Sequence, residues 1–570
     1  MSTRKHTPRN RGFRPEADVL ESRQLLSAVV SGTDSKGDAW SLRLVGPGQL
    51  SVVKQNGAGG TTPGALTSAT DINTITIGGT DPLKSRLVGT VTPGPNSDGR
   101  VFFQSMNQLA TRSEKYTGSG DGLLSIDMPN FWLANTTPAT RAPTSAPGIT
   151  LPDGVDTLRF GGVDTSVNQP TTANATNNAA VVSLGLPTFG GTRILINKSI
   201  SSTQAGPPAT NSPAPTTVQH GVVFAVAGRL QLFQANEIVG DAASPPGQFK
   251  DFNPAAAGTG GTLVVSTTPG SGGSFPFLSA LFPSGQTKGA VTGAIADVRV
   301  GGNATNFSTF VFDPSFSGGD KIANFSIGGE TNNVLLVAPT GARNVVFGKG
   351  MDKVEILTHV MDSLQANRGA LNSNVYVDRS IGRVDLGGDV VNTRVLAGYQ
   401  QNYNNILSTI AGNSFGTSPA APPTPINAQP FGALSVHVAG SVTNSVFAAS
   451  VEPFQNNFAK FGDPNQIVLT GGHINSKIEG KVDNTVAAPN TPKQAVFASQ
   501  VKAYSGPVVP PNVPEAPYPG PAQPSHLPGI HHPNRSLVKV VSATTATPVT
   551  TTPAVKTPTT TPVTKPAKKA

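Results

Sequence analysis

A short unit recurs along this 570-residue chain. Two large apolar residues flank a single residue, a Gly follows two places on, and an Asn comes four places after the Gly. It reads Val298/Val300–Gly302–Asn306, Phe325/Ile327–Gly329–Asn333, Val384/Leu386–Gly388–Asn392, Val436/Val438–Gly440–Asn444 and Ile467/Leu469–Gly471–Asn475. In a strand, alternate side chains share one face, so each apolar pair points one way and the residue between them points the other. Gly permits a positive φ at a corner, and Asn tolerates the left-handed region and can hydrogen-bond its own turn. A chain that repeats strand, glycine and turn builds an elongated β stack. In such a stack, equivalent Asn amides form a ladder down the axis. The fold class expected is therefore all-β, a parallel β-solenoid with long loops.

The successive pattern glycines are 27, 59, 52 and 31 residues apart. A solenoid coil takes roughly 20–30 residues, so the longer steps hold either two coils or one coil with an insertion. Asn344–Phe347 and Lys353–Ile356 are candidates for the coil missing after Gly329. The stretch 411–431, with five prolines, accounts for much of the step from Gly388 to Gly440.

Composition agrees. Gly 63 and Pro 50 are high, while charged residues make up only 13%, which suits short strands joined by many turns. Helical candidates are brief, such as 352–366. With no cysteine, disulfides, thiolate metal sites and thiol nucleophiles are excluded. The net charge of +9 resides in the tails. Residues 1–15 and 516–570 carry 11 basic side chains and no acid, which leaves 30 basic against 32 acidic in the body. The body has no general bias towards nucleic acid.

Four regions follow: 1–35, a basic leader; 36–290, a diverged, loop-rich β region of the same solenoid, with a separate β-sandwich as the alternative; 291–504, the regular solenoid repeats; and 505–570, a Pro/Thr/Lys-rich tail that cannot bury a core. Strand candidates in the second region are 41–45, 73–77, 157–160, 192–196, 221–226 and 262–265. No segment approaches the roughly 20 apolar residues of a membrane span.

In the leader, Leu20-Glu-Ser-Arg-Gln-Leu-Leu-Ser-Ala28 behind an Arg-rich start resembles the N-terminal sorting motif of surface and exported proteins of planctomycete bacteria. That family often has Pro where this chain has Ser22. The resemblance implies export and speaks to address, not chemistry. The body resembles the right-handed β-helices of bacterial adhesins and polysaccharide-active proteins, a likeness of fold that does not carry function.

Asp378, Arg383, Asp385, Asp389 and Arg394, with Arg379, form the densest charged cluster and the candidate saccharide or ion site. Asp385 lies between two inward residues, so the competing reading is a surface ion-pair row. Asp313, Asp320 and Asp352 match no Ca²⁺ loop spacing. His526, His531 and His532 sit in the Pro-rich tail without fixed geometry. Trp40 and Trp132 are isolated and read as partial core. No catalytic residue, cofactor or metal is implied. The expected protein is an exported cell-surface or envelope structural and adhesive solenoid. Its partners would be envelope or extracellular polysaccharide or other surface proteins, with no specific nucleic acid and no membrane span. The alternative is a carbohydrate-active enzyme, a lyase or hydrolase, on the same fold.

Overall fold

The computed structural model describes residues 28–503 apart from 56–58, 62–63, 67–69, 96, 110–121, 137–146, 166–179, 186–189, 202–221, 240–251, 254–255, 258–261, 267–294, 313–321, 339, 401–426, 453–465, 484–494 and 499. Every regular element among them is a strand. The chain is a parallel β-solenoid whose regular coils have three faces.

The first face carries the apolar-pair strands. Thirteen of them pair in parallel register, from Arg86–Thr92 through Leu123–Ala134, Val155–Asp164, Thr192–Ser201 and Leu230–Val239 to Ile295–Val300, and on to Gln500–Ala503. Leu230 pairs with Ile295, so the stack crosses residue 290 without a break. Thirteen rungs about 4.8 Å apart make a rod about 60 Å long. The third face stacks a second series of strands, from Ile72–Gly78 to Val496–Ala498. Between them, the second face is a five-stranded sheet of two-residue strands, Met351–Asp352, Ala370–Leu371, Val390–Val391, Val442–Thr443 and Val482–Asp483.

The core is the inside of this prism. Val298, Val300, Phe325, Ile327, Val345, Phe347, Val384, Leu386, Val436 and Val438 belong to one buried cluster. Rings from two faces meet inside it: Phe307, on the third-face strand Ala304–Phe312, lies between Phe233 and Phe325 of the first face with centroids 6.3 and 6.1 Å away, and Phe325 lies 6.1 Å from Phe347, within the range of favourable aromatic pairs.

The register differs from the sequence reading in four places. Ile327 pairs with Phe347, Phe347 with Ala366 and Ala366 with Leu386, so the 59-residue step holds three coils. Asn344–Phe347 and Lys353–Ile356 belong to the first-face strand Ala342–Phe347 and the third-face strand Val354–Thr358 that follows it. The helical candidate 352–366 is instead Met351–Asp352, Val354–Thr358 and Met361–Ala366, three strands. At the far end Val438 pairs with Ile478, so Gly480, not Gly471, lies over Gly440. Ile467–Val468 runs antiparallel to Val451–Glu452 outside the stack. Asn475 lies on the first face opposite Ser435 and not at a corner. Finally, Ala28–Thr33 is a strand paired with Ala39–Val45, so the folded body begins inside the expected leader.

That N-terminal portion seals the rod. Ala28–Thr33, Ala39–Val45 and Arg86–Thr92 pair antiparallel, as do Gln49–Lys54 and Ile72–Gly78. Trp40 and Lys54 are buried there, with Lys54 Nζ donating to the Thr33 carbonyl at 2.6 Å.

The two recurring corner residues act differently. Gly302, Gly329, Gly388 and Gly440 stay outside the positive-φ region. They are required by proximity instead: a Cβ on Gly329 would overlap the Gly302 backbone, and one on Gly440 would overlap Gly388. Asn306, Asn333, Asn372, Asn392 and Asn444 have φ of 53, 61, 49, 50 and 45°, and Lys353 takes the same corner at 50°. Asn333 Nδ2 donates to Asn306 Oδ1 at 2.6 Å, and Asn392 Nδ2 to Asn372 Oδ1 at 3.1 Å. Lys353 interrupts the ladder between them. Asn392→Ala should cost about 2–3 kcal/mol, from left-handed strain and the lost hydrogen bond. Lys353→Asn should raise the thermal midpoint by relieving a strained corner. A lower midpoint for Lys353→Asn in thermal unfolding would refute the ladder.

Candidate functional site

The five charged residues singled out in the sequence fall in four different places. Asp385 stands on the outward side of the first face, on Ser380–Leu386 between buried Val384 and Leu386. Arg383 Nη2 donates to its Oδ2 at 2.8 Å, and His437 Nδ1 lies 2.9 Å from its Oδ1. His437 Nε2 is 3.2 Å from Glu479 Oε1, which also accepts from Lys477 Nζ at 2.6 Å. Hydrogen bonds from Lys477 and then His437 hold the Glu479 carboxyl below the usual carboxylate range. Three coils thus carry one alternating row, Arg383–Asp385–His437–Glu479–Lys477. It is solvated, so its pairs are screened and add little to stability.

Asp378 lies at the turn after the third face, its Oδ2 3.1 Å from His359 Nδ1. Asp389 is a corner acceptor whose Oδ1 takes the Ser441 backbone N–H at 2.8 Å. Neither joins the row. Arg394 is on the third face, outward and buried.

Arg394 leads to a group the sequence reading missed. Leu335, Glu355, Asn374, Arg394 and Val446 are successive register partners. Their strand neighbours Leu336, Ile356, Val375, Val395 and Phe447 belong to the inner core, so by strand alternation this column points outward. It is nonetheless buried: Glu355, Asn374 and Arg394 are 7, 5 and 8% exposed. Beside it runs a second outward column, Val337, Leu357, Tyr376, Leu396 and Ala448, also buried. Glu355 Oε2 and Asn374 Oδ1 have no hydrogen-bond partner. Burial pushes the Glu355 carboxyl up to about 8. It also raises the Tyr376 phenol, against the opposing charge of Arg394. The spacing of 19 and 20 residues hid these side chains, because local pattern reading sees only an isolated polar residue at the start of Glu355-Ile-Leu, Asn374-Val-Tyr and Arg394-Val-Leu.

No group of three His, Asp or Glu side chains among the described residues is placed to hold a metal. Asp352 lies on the second face, its carboxyl raised by burial, whereas Asp313, Asp320, His526, His531 and His532 lie outside the described residues. Trp40 and Trp132 are buried. Trp132 pairs in register with Phe102 under the Arg100 guanidinium, 5.1 Å from the ring centre. No helix among the described residues is long and apolar enough to cross a membrane. Comparison with family models, with curated proteins and with solved structures finds no match.

The shift of Glu355 has a defined sign. Between the ordinary value of 4.5 and about 8, the folded chain keeps a proton that the unfolded chain has lost. Folding therefore weakens as pH rises through that window and is unaffected below it. Glu355→Gln should match the parent near pH 4 and exceed its thermal midpoint by a few degrees near pH 9. Parallel midpoint curves for the two proteins between pH 4 and 9 would remove this account of Glu355.

Proposed function

We propose that the chain is an exported, elongated solenoid that serves as a structural and adhesive component of the cell surface or envelope, with envelope or extracellular polysaccharide as its partner. The observation that carries this reading is the unbroken stack itself. Thirteen in-register rungs form a rod sealed at its N-terminal end, a shape suited to spanning and displaying. Its first face presents short polar side chains in columns: Asn344 Nδ2 donates to Asn324 Oδ1 at 3.1 Å and Ser363 Oγ to Asn344 Oδ1 at 3.0 Å. The basic leader with its Leu20–Ala28 motif and the uncross-linked body support the export part.

A second reading, a carbohydrate-active enzyme on the same stack, draws on one observation. Glu355, Asn374 and Arg394 meet from three successive coils, and a carboxyl that stays protonated at neutral pH is suited to general acid work.

Fractionation of cells expressing the tagged full-length chain tests the first reading. The protein is expected in the envelope or the medium, and deletion of residues 1–27 should leave it in the cytoplasm. Recovery of the intact chain from the cytoplasm alone would end that reading. Turnover of a polysaccharide panel, lost in Glu355→Gln, would favour the second.

A further inference from the structure

We infer that Phe431 is the stacking platform of a saccharide-binding site, at the edge of the rod where the chain returns from the third face to the first. The inference rests on the polysaccharide partner proposed above and names where on the chain it is held.

Ser380, Ala433 and His473 are successive register partners. The residues just before them therefore share this corner on three consecutive coils: Asp378–Arg379, Pro430–Phe431 and Thr470–Gly471. The Arg379 N–H donates to the His359 carbonyl at 3.0 Å, which adds a coil before them. Four rungs about 4.8 Å apart make an edge about 14 Å long. On the last two of these coils the chain leaves the stack in antiparallel pairs before it returns, Tyr399–Gln400 with Asn427–Ala428 and Val451–Glu452 with Ile467–Val468. Phe431 and Gly471 stand at the points of return.

Phe431 is 73% exposed, the most open large apolar side chain among the described residues. Exposure alone is ordinary. Phe431 also has a φ of 67°, in the left-handed region where the other non-glycine residues are Asn, Lys and Ser. A bulky side chain is strained there, and a ring so open to water offsets little of that strain by burial. Two backbone features hold it. Its N–H donates to the Thr470 carbonyl at 3.1 Å, and Gly471, with φ of 79°, leaves the room that a Cβ would take from the ring. The stack does not ask for an aromatic residue here, since the same corner carries Asp378–Arg379 one coil earlier and Thr470–Gly471 one coil later.

The size of the patch selects the ligand. The ring and Val468, which is 44% exposed, fall far short of the roughly 800 Å² per partner that a stable protein interface buries. One ring matches one sugar. A pyranose carries C–H groups on a face and hydroxyls round its rim, and polarised C–H groups meet the negative face of an aromatic ring. On the neighbouring coils stand two exposed residues suited to the rim, Arg379 and Thr470. The first donates hydrogen bonds, and the second both donates and accepts.

The test is isothermal titration of the full-length chain with soluble tetrasaccharides of glucose, N-acetylglucosamine and galacturonate, which differ in the rim groups they offer. At least one should bind. Phe431→Tyr, which keeps the ring, should hold the affinity within threefold, and Phe431→Asn should lower it tenfold or more. Asn suits the left-handed corner, so Phe431→Asn should keep or raise the thermal midpoint, and the lost binding then reports the ring and not the fold. Binding of none of the three at millimolar concentration overturns the site. So does binding that Phe431→Asn leaves unchanged. A lowered midpoint for Phe431→Asn also overturns it, since that marks the ring as packing. An envelope-located chain that fails these titrations loses the site alone, whereas a cytoplasmic chain loses the broader reading.

Discussion

Backbone hydrogen bonds between successive coils govern the rest of the structure. Successive rungs of the first face pair in parallel across thirteen strands, with the register interrupted only by local bulges, such as those between Phe160 and Gly162 and between Ile381 and Val384. A parallel ladder leaves no freedom to slip by one residue, because a slip would turn every buried side chain outward. Once register is fixed, each position sits over its equivalents, and side-chain identity is judged column by column. The corner Asn amides bond to each other, and Gly lies on Gly.

The corners show how the same constraint selects two residue types for different reasons. At the first corner neighbouring backbones approach so closely that a methyl group has no room, and Gly is chosen for size. At the second, the chain must enter the left-handed region to turn onto the third face, and Asn is chosen for conformation and for the amide that reaches the next coil. A solenoid also has two open ends, and unpaired strand edges invite association. The antiparallel strands of residues 28–92 close the first end by folding a different β topology onto the first parallel rung.

Much of the fold was legible because strand alternation is local. Ser41–Val45 and Thr157–Phe160 each show their buried and exposed rows within five residues, and both lie in strands. The coils that escaped notice lack the corner signature. Lys349 and Lys353 replace both Gly and Asn in one of them, and Arg368 replaces Gly in the next, although backbone bonds such as Arg368 N–H to the Lys349 carbonyl hold them in the same ladder. The opposite error occurred at Gly471, where a local match was drawn from a segment that pairs outside the stack. Asp385 was legible as an outward ion-pair residue, since its two neighbours fix its direction. The Glu355 column was not, since its members are neighbours only after the chain has completed a full coil.

Coil length is the freest variable in this architecture, and that freedom bears on where function can reside. The rungs from Ile327 to Leu386 follow one another at 20, 19 and 20 residues, while those from Leu386 to Val438 and from Val438 to Ile478 take 52 and 40. Closing the longer connections costs little extra, since loop entropy grows only with the logarithm of length, about 0.6 kcal/mol per doubling. Each return to the stack recovers the same ladder and the same buried pair. The inner positions are therefore dictated by the fold and carry little information about activity. The outward positions are not dictated, and the third face shows it most clearly: Leu335 and Val446 occupy the same column as Glu355, Asn374 and Arg394. A position that accepts leucine and valine in one part of the rod and holds a carboxyl, an amide and a guanidinium in another has been set by something other than the packing of the rod.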